Sequence, residues 1–134
     1  MKRILITLIL ALVSLSATAQ WIFYGEKDGG QGFYDPQTIQ YISKNKVTVL
    51  TYINLSKDYV AYRTTVGQPL ELSHRIIQQY DCKNRTFQFI ESKSYSENHL
   101  LGRLLRYSRD SKENLSLIDD MSPSANLLKI LCKK

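Results

Sequence analysis

The sequence contains few of the residues that form catalytic and metal centres. Its 134 residues include only two histidines and two cysteines. A metal site would require His74 and His99, which are far apart in the sequence, to meet carboxylates or thiols. No serine lies in a nucleophile-elbow pattern, and the glycine-rich stretch 29–32 lacks the Lys-Ser/Thr pair of a phosphate-binding loop. We therefore expect no catalytic residue, no metal and no cofactor, and a protein that is not an enzyme.

Glycine and proline are also scarce. The chain has six glycines and three prolines, which excludes a collagen-like repeat and a low-complexity linker protein. Hydrophobic residues make up 43% of the chain and charged residues 22%, as in an ordinary globular domain. A chain of this length is sufficient for one such domain.

Only one long hydrophobic run is present, over residues 4–15, and it follows a short basic start. Small residues at 17–19 then match a signal-peptidase site. The run is shorter than the roughly twenty residues that span a bilayer, which favours a cleaved signal peptide, residues 1–19, over a membrane anchor. No cysteine follows the run, so we expect no lipid anchor. The prediction is a single exported domain, residues 20–134, that is periplasmic, displayed on the cell surface or secreted.

The two cysteines, Cys82 and Cys132, both lie in the predicted mature chain. An even number of cysteines in an oxidising compartment favours one intramolecular disulfide. Closing a loop of about fifty residues would stabilise the fold by about 4 kcal/mol in the chain-entropy description. Two free thiols or an intermolecular bridge are the alternatives at this point.

Most of the mature chain has the alternating pattern of β-strands. In residues 47–53, for example, valine, threonine and isoleucine alternate with a second set of side chains on the opposite face. The segment that contains His74 alternates too, and a packed, hydrogen-bonded histidine is favoured there over a ligand. Strands are predicted at 21–24, 33–34, 47–53, 70–80, 86–95 and 104–107.

The C-terminal segment changes to a helical period. Ser122 is a candidate N-cap, and Pro123 follows at the first helical position, where its missing N–H costs nothing. Leucines recur at helical spacing from Leu127 to Leu131. A helix of about ten residues is marginal alone in water, so it must pack on the sheet, where Cys132 can join Cys82. The predicted fold is α+β: an antiparallel five- to six-stranded sheet with a C-terminal helix packed on it and tied by one disulfide.

Charge is the most distinctive surface property. Without Lys2 and Arg3 the formal net charge falls from +6 to +4, far below that of a dedicated nucleic-acid binder. Seven basic residues lie close together in the sequence: Lys83, Arg85, Lys93, Arg103, Arg106, Arg109 and Lys112. They are candidates for a patch that attracts acidic polymers or acidic protein surfaces. Five acidic residues are interspersed among them, so an ordinary solvated sheet face is the alternative.

Several short motifs occur in an order that resembles a known family. They are Trp21-Ile22, Phe33-Tyr34-Asp35-Pro36, Val47-Thr48-Val49-Leu50, Tyr80-Asp81-Cys82-Lys83-Asn84-Arg85, and Ser122-Pro123-Ser124 with the leucines that lead to Cys132. Together they resemble small exported bacterial proteins related to surface-adhesin protein E. The resemblance implies an antiparallel sheet with a disulfide-tied C-terminal helix. It also implies a binding protein, since members named as adhesins bind host matrix and serum proteins.

The sequence therefore favours an exported, non-catalytic, adhesin-like protein that binds matrix or other acidic partners through a sheet face and the basic region. A homodimer is possible, and neither nucleic acid nor a membrane span is expected. The alternative is a periplasmic accessory protein that binds an envelope component or a small ligand.

We predict that the exported protein begins at Gln20, because signal peptidase cleaves after the small residues at 17–19. The intact mass of protein purified from the cell envelope measures this directly. Retention of residues 1–19 would contradict both export and the disulfide argument.

Overall fold

The computed structural model describes residues 18–109 and 115–133. Six antiparallel strands form one sheet in the order β1-β2-β4-β5-β6-β7, while β3 pairs with β4 and β8 pairs with β6. The strands are β1 (Ile22–Lys27), β2 (Gly30–Tyr34), β3 (Gln40–Tyr41), β4 (Lys46–Leu55), β5 (Ser73–Asp81), β6 (Thr86–Tyr95), β7 (Leu104–Arg109) and β8 (Ser116–Leu117). The predicted antiparallel sheet is confirmed. The predicted signal peptide, except for residues 18 and 19, lies outside the described residues, as does Lys112.

The first hairpin shows how the glycine-rich stretch is used. Asp28 and Gly29 connect β1 to β2, and both have positive φ angles, 51° and 74°. An Asp-Gly pair suits such a two-residue turn because its twist matches that of the flanking strands. Asp28 and Gly29 therefore form the turn of a hairpin, and β1 continues to Lys27, beyond the predicted end at residue 24.

The described part of the chain contains two α-helices, of which the sequence predicted only the second. Helix α1 (Lys57–Arg63) follows β4, and the Ser56 side chain accepts a hydrogen bond from the Tyr59 amide at its start. Only Val60 of this helix is buried, so the helix has no apolar stripe for a pattern search to detect. The loop after α1 also runs further than expected, and β5 begins at Ser73 instead of residue 70.

Helix α2 (Pro123–Leu131) packs on one face of the sheet, called here the helix face. Ser122 caps it by accepting a hydrogen bond from the Ala125 amide, and Pro123 occupies its first turn, as predicted. Alternate strand residues meet the helix because side chains alternate across a sheet. The core between them comprises Tyr24, Tyr34, Val47, Val49, Tyr80, Ile118, Ala125, Leu127, Leu128 and Leu131. Neither described helix is long and apolar enough to cross a membrane.

A disulfide joins the end of β5 to the end of α2. Cys82 and Cys132 are bonded, with their Cα atoms 5.7 Å apart, within the usual range for a disulfide. The predicted pairing is confirmed. Two hydrogen bonds hold the same helix: the Tyr41 hydroxyl donates to the Leu131 carbonyl at 2.8 Å, and the Asn126 side-chain nitrogen donates to the Tyr24 carbonyl at 3.1 Å.

We predict that Cys132→Ser lowers the free energy of unfolding by about 2–5 kcal/mol, because it restores the entropy of a long loop in the unfolded chain. Residues 123–133 should lose hydrogen-exchange protection before the strands do, since α2 is too short to persist alone. Exchange measured on the oxidised and reduced protein tests this. Unchanged protection of α2 after reduction would show that the leucine contacts alone hold the helix.

Candidate functional site

Neither described α-helix packs on the second face of the sheet, which is called here the open face. Side chains directly opposite one another on paired strands share a face, so the pairing register identifies what lies on it. One row of directly opposed residues crosses all six strands from β1 to β7: Phe23, Phe33, Tyr52, Arg75, Lys93 and Tyr107. The open face therefore presents aromatic rings at both ends of a row and two cations between them.

The β1 end of this row is a packed aromatic cluster. The Phe33 and Tyr52 rings stack with centroids 4.7 Å apart, and Trp21 meets Tyr52 edge-on at 4.7 Å. Phe23 packs against Phe33 at 5.6 Å. Tyr52 is only 7% exposed, and burial raises the pKa of its phenol. Phe23 is 52% exposed at the edge of the cluster. One side of this apolar ring therefore packs on Phe33 while the rest faces solvent.

A short 3-10 turn, Asn98–Leu100, borders the open face beside the aromatic cluster. The His99 amide donates to the Asn54 side-chain oxygen at 2.7 Å, and the same side chain's nitrogen lies 3.0 Å from His99 Nδ1. The Asn98 side chain donates to the Leu55 and Leu72 carbonyls. These hydrogen bonds hold the turn in place at the edge of the open face.

Charged side chains occupy the middle of the open face. An Arg75 guanidinium nitrogen lies 3.7 Å from a Glu91 carboxylate oxygen, and the Tyr107 hydroxyl donates to the other oxygen at 3.4 Å. The Lys93 ammonium lies 5.9 Å from the centre of the Tyr107 ring, within cation–π range. Arg109 is exposed and stands opposite Glu91. Arg75 thus pairs with this carboxylate, while Lys93 and Arg109 lie on the same face beside it.

A polar depression of about 440 Å³ lies beyond these charges, at the end of β5 and β6. Gln79 and Gln88, directly opposite each other, lie along it with Lys46 and Asp81. The Asp81 carboxylate accepts hydrogen bonds from the Lys83 and Asn84 amides of the following turn and from the Asn84 side chain. Hydrogen bonds from Asn84 are the main reason that the pKa of Asp81 lies below its ordinary value. That carboxylate is thus already engaged within the fold.

The helix face has a smaller, mainly apolar cavity of about 280 Å³ between α1 and the start of α2. Rings of Tyr24, Phe87 and Phe89 line it, and the buried Gln78 side chain reaches it. Burial raises the pKa of Tyr24 to about 12. Gly32 also lines the cavity, and a Cβ there would lie 2.5 Å from the Tyr24 ring. Glycine therefore lets this ring lie against the strand.

The structure separates the predicted basic residues instead of gathering them into one patch. Lys93 and Arg109 lie on the open face. Lys83 and Arg85 lie in the β5–β6 turn, where Arg85 pairs with Asp120. Since β6 is ten residues long, this turn is about 30 Å from the opposite end of the strand.

Of the other predicted basic residues, two lie near the opposite end of β6 and one lies outside the described residues. Arg103 immediately precedes β7, and its amide donates to the Ser96 hydroxyl. Arg106 projects from β7 on the helix face and forms an ion pair with Glu71 at 2.6 Å. Lys112 lies outside the described residues. A single surface can therefore use only some of the predicted set.

His74 is a packed, hydrogen-bonded residue, as the sequence favoured. It projects on the helix face, and its Nδ1 atom lies 2.9 Å from the Ser94 hydroxyl. Burial is the main reason that its pKa lies below the ordinary value, while Glu71 raises it and Arg106 lowers it further. Within the described ranges, 18–109 and 115–133, no group of three or more potential metal-binding side chains occurs.

These features define a small antiparallel sheet domain with a disulfide-tied helix packed on one face. The chain belongs to the surface-adhesin protein E family, whose sequence profile matches residues 21–133. The resemblance noted in the sequence is thereby confirmed. No curated protein sequence matches the chain significantly.

Solved structures of protein E from Haemophilus influenzae have a similar fold. One superposes with a TM-score of 0.57 at 16% identity, covering 87% of this chain and 86% of that chain. Protein E from the non-typeable bacterium gives 0.55 at 16% identity, covering 87% and 78%. A second crystal form gives 0.53 at 16% identity, covering 87% and 96%. At this identity the likeness shows a shared fold alone.

We predict that His74 makes stability depend on pH. The folded protein binds the His74 proton less tightly than the unfolded chain does. The free energy of unfolding therefore has its full value above the ordinary histidine pKa of about 6.5 and decreases as the pH falls below that pKa. The slope should not exceed about 1.4 kcal/mol per pH unit. Urea unfolding between neutral and mildly acidic pH measures it.

The variant for this measurement is His74→Gln. It should flatten the dependence between pH values near 5.5 and 7.5, where carboxylates contribute little. A dependence that survives His74→Gln would assign it to other groups.

Proposed function

We propose that the protein is an exported, non-catalytic adhesin that binds matrix or other acidic partners through its open face. The signal peptide, residues 1–19, is removed, and residues 20–134 form one mature domain. Host matrix and serum proteins are the partners that family membership favours. The observation that carries the proposal is the row of aromatic and basic side chains that crosses all six strands on the face where neither described helix packs.

The composition of this row supports binding over simple solvation. Tyrosine, phenylalanine and arginine are enriched in the cores of protein interfaces, and the two aromatic types offer a large contact area. Phe23 and Tyr107 are each 52% exposed although both are large aromatic residues. Phe23 is also supported from behind by Phe33, so its ring is oriented before a partner arrives.

The charges on the open face support an acidic partner. Lys93 and Arg109 add positive potential beside the exposed Tyr107 ring. Basic residues at the two ends of the sheet, such as Lys83, Arg85 and Arg103, add longer-range attraction that favours encounter with acidic surfaces. Added salt should weaken this contribution because it screens exposed charges.

The alternative is a periplasmic accessory protein that binds an envelope component or a small ligand. The observation in its favour is the cavity on the helix face, whose aromatic walls and buried Gln78 resemble the lining of small-molecule sites. At about 280 Å³ it lies just below the usual size range of such sites. Surface labelling of intact native cells distinguishes the two functions, because a soluble periplasmic pool cannot contact a host.

We predict that Phe23→Ser with Tyr107→Ser weakens binding to immobilised matrix proteins by about tenfold or more, as expected when two interface aromatics are lost. Tyr62→Ser is the matched control, because Tyr62 is 93% exposed on α1, away from the open face. Surface plasmon resonance at two salt concentrations measures both affinity and its electrostatic part. Equal binding by the double variant and the control would exclude the open face.

A further inference from the structure

We infer that the open face binds a linear acidic polysaccharide of the glycosaminoglycan type. This rests on the proposed function, since it names the partner class of the same surface. Three kinds of side chain that suit such a polymer lie on that face in separate zones. They are exposed aromatic rings, cations that no internal carboxylate neutralises fully, and a pair of amides.

The amide pair is the most specific of these features. Gln79 and Gln88 stand directly opposite each other on β5 and β6, so their Cβ atoms are about 4.5–5.5 Å apart. Among residues 18–109 and 115–133, neither side-chain amide takes part in a hydrogen bond, and both line the polar depression. Each amide offers two donors and an acceptor. Paired amides can therefore donate to and accept from neighbouring hydroxyls of a sugar ring.

The exposed aromatic residues provide surfaces for the apolar faces of sugar rings. Phe23 and Tyr107 end the row on β1 and β7, about 24 Å apart given the spacing of strands in a sheet. The C–H groups of a pyranose face carry slight positive charge and pack on the negative face of an aromatic ring. Two such rings at this separation suit an extended chain better than a compact ligand.

The remaining charges select an acidic polymer. Four cations and three carboxylates lie on the open face: Lys46, Arg75, Lys93, Arg109, Glu26, Asp81 and Glu91. Asp81 is engaged internally by the amides of the β5–β6 turn and Glu91 by Arg75 and Tyr107, while Glu26 lies on the edge strand β1. Lys46, Lys93 and Arg109 are therefore the cations most available for carboxylate or sulfate groups.

Among the matrix and other acidic partners proposed above, the spread of these zones favours the polysaccharide chains over an exclusively protein surface. Gln79 lies four positions after Arg75 on β5, which corresponds to about 13 Å along the strand. Polar amides, cations and isolated rings are thus distributed over a broad and shallow area. The core of a protein interface, in contrast, is compact, apolar and depleted of lysine. A repeating polymer can use all three zones at once.

The test measures binding of the mature, disulfide-bonded protein to a size-fractionated heparin oligosaccharide and to poly-L-glutamate. Lys93→Gln with Arg109→Gln should weaken heparin binding by about tenfold, since two charge-assisted contacts are lost. Lys57→Gln with Lys129→Gln removes the same charge from exposed helix positions and should change it less than about twofold. Equal losses in the two variants would indicate non-specific ion exchange and contradict the inference.

The decisive variant is Gln79→Ala with Gln88→Ala, because it changes no charge. Heparin binding should fall by about fivefold while binding to poly-L-glutamate is unchanged, since only the sugar hydroxyls use the amides. Gln68→Ala, on the loop after α1, is the matched amide control and should have no effect. Circular dichroism and the unfolding midpoint establish that each variant is folded.

Other outcomes separate this inference from the proposed function. If the affinity for heparin is the same with and without Gln79→Ala and Gln88→Ala, the inference is overturned. If matrix proteins bind and the oligosaccharide does not, the inference is wrong and the adhesin function stands. If purified lipopolysaccharide displaces heparin at lower concentration, the partner is an envelope component, and a host glycosaminoglycan is contradicted. If neither matrix proteins nor heparin bind, both proposals fail.

Discussion

The attachment of one short helix to one face of the sheet is the constraint on which the rest of this structure depends. Nine residues of α2 extend about 14 Å, whereas six strands are about 24 Å wide. The helix closes only part of one face, and the Cys82–Cys132 bond fixes which part. Because α2 covers so little of the sheet, a cavity remains beside it on the helix face, and neither described helix covers the open face.

The side chains of a sheet face without a covering helix must pack and form hydrogen bonds with one another. On the open face they do so. Tyr52 is buried by neighbouring rings instead of by a helix, and Arg75 and Tyr107 both contact Glu91. Such internal support holds side chains in place before binding, which lowers the entropic cost of association. The same contacts that stabilise the open face therefore prepare it for a partner.

The sequence predicted those features that depend on local patterns. Alternation located the long strands, the Ser122-Pro123 pair located the start of α2, and the cysteine count in an exported chain predicted the disulfide. Helix α1 was missed because its two turns depend on a cap and bury a single apolar residue.

The open-face row was missed because it requires five strand pairings in the correct register, including bulges within β1 and β6. Linear proximity suggested one basic patch, but alternation and hairpin geometry place Lys93, Arg106 and Arg85 on different surfaces.

The central claim is that the open face makes the contact. Hydroxyl-radical footprinting of aromatic side chains, with and without bound matrix protein, tests it most directly. Phe23 and Tyr107 should become protected while Tyr62 stays reactive; protection of Tyr62 with Phe23 and Tyr107 unchanged would contradict the account.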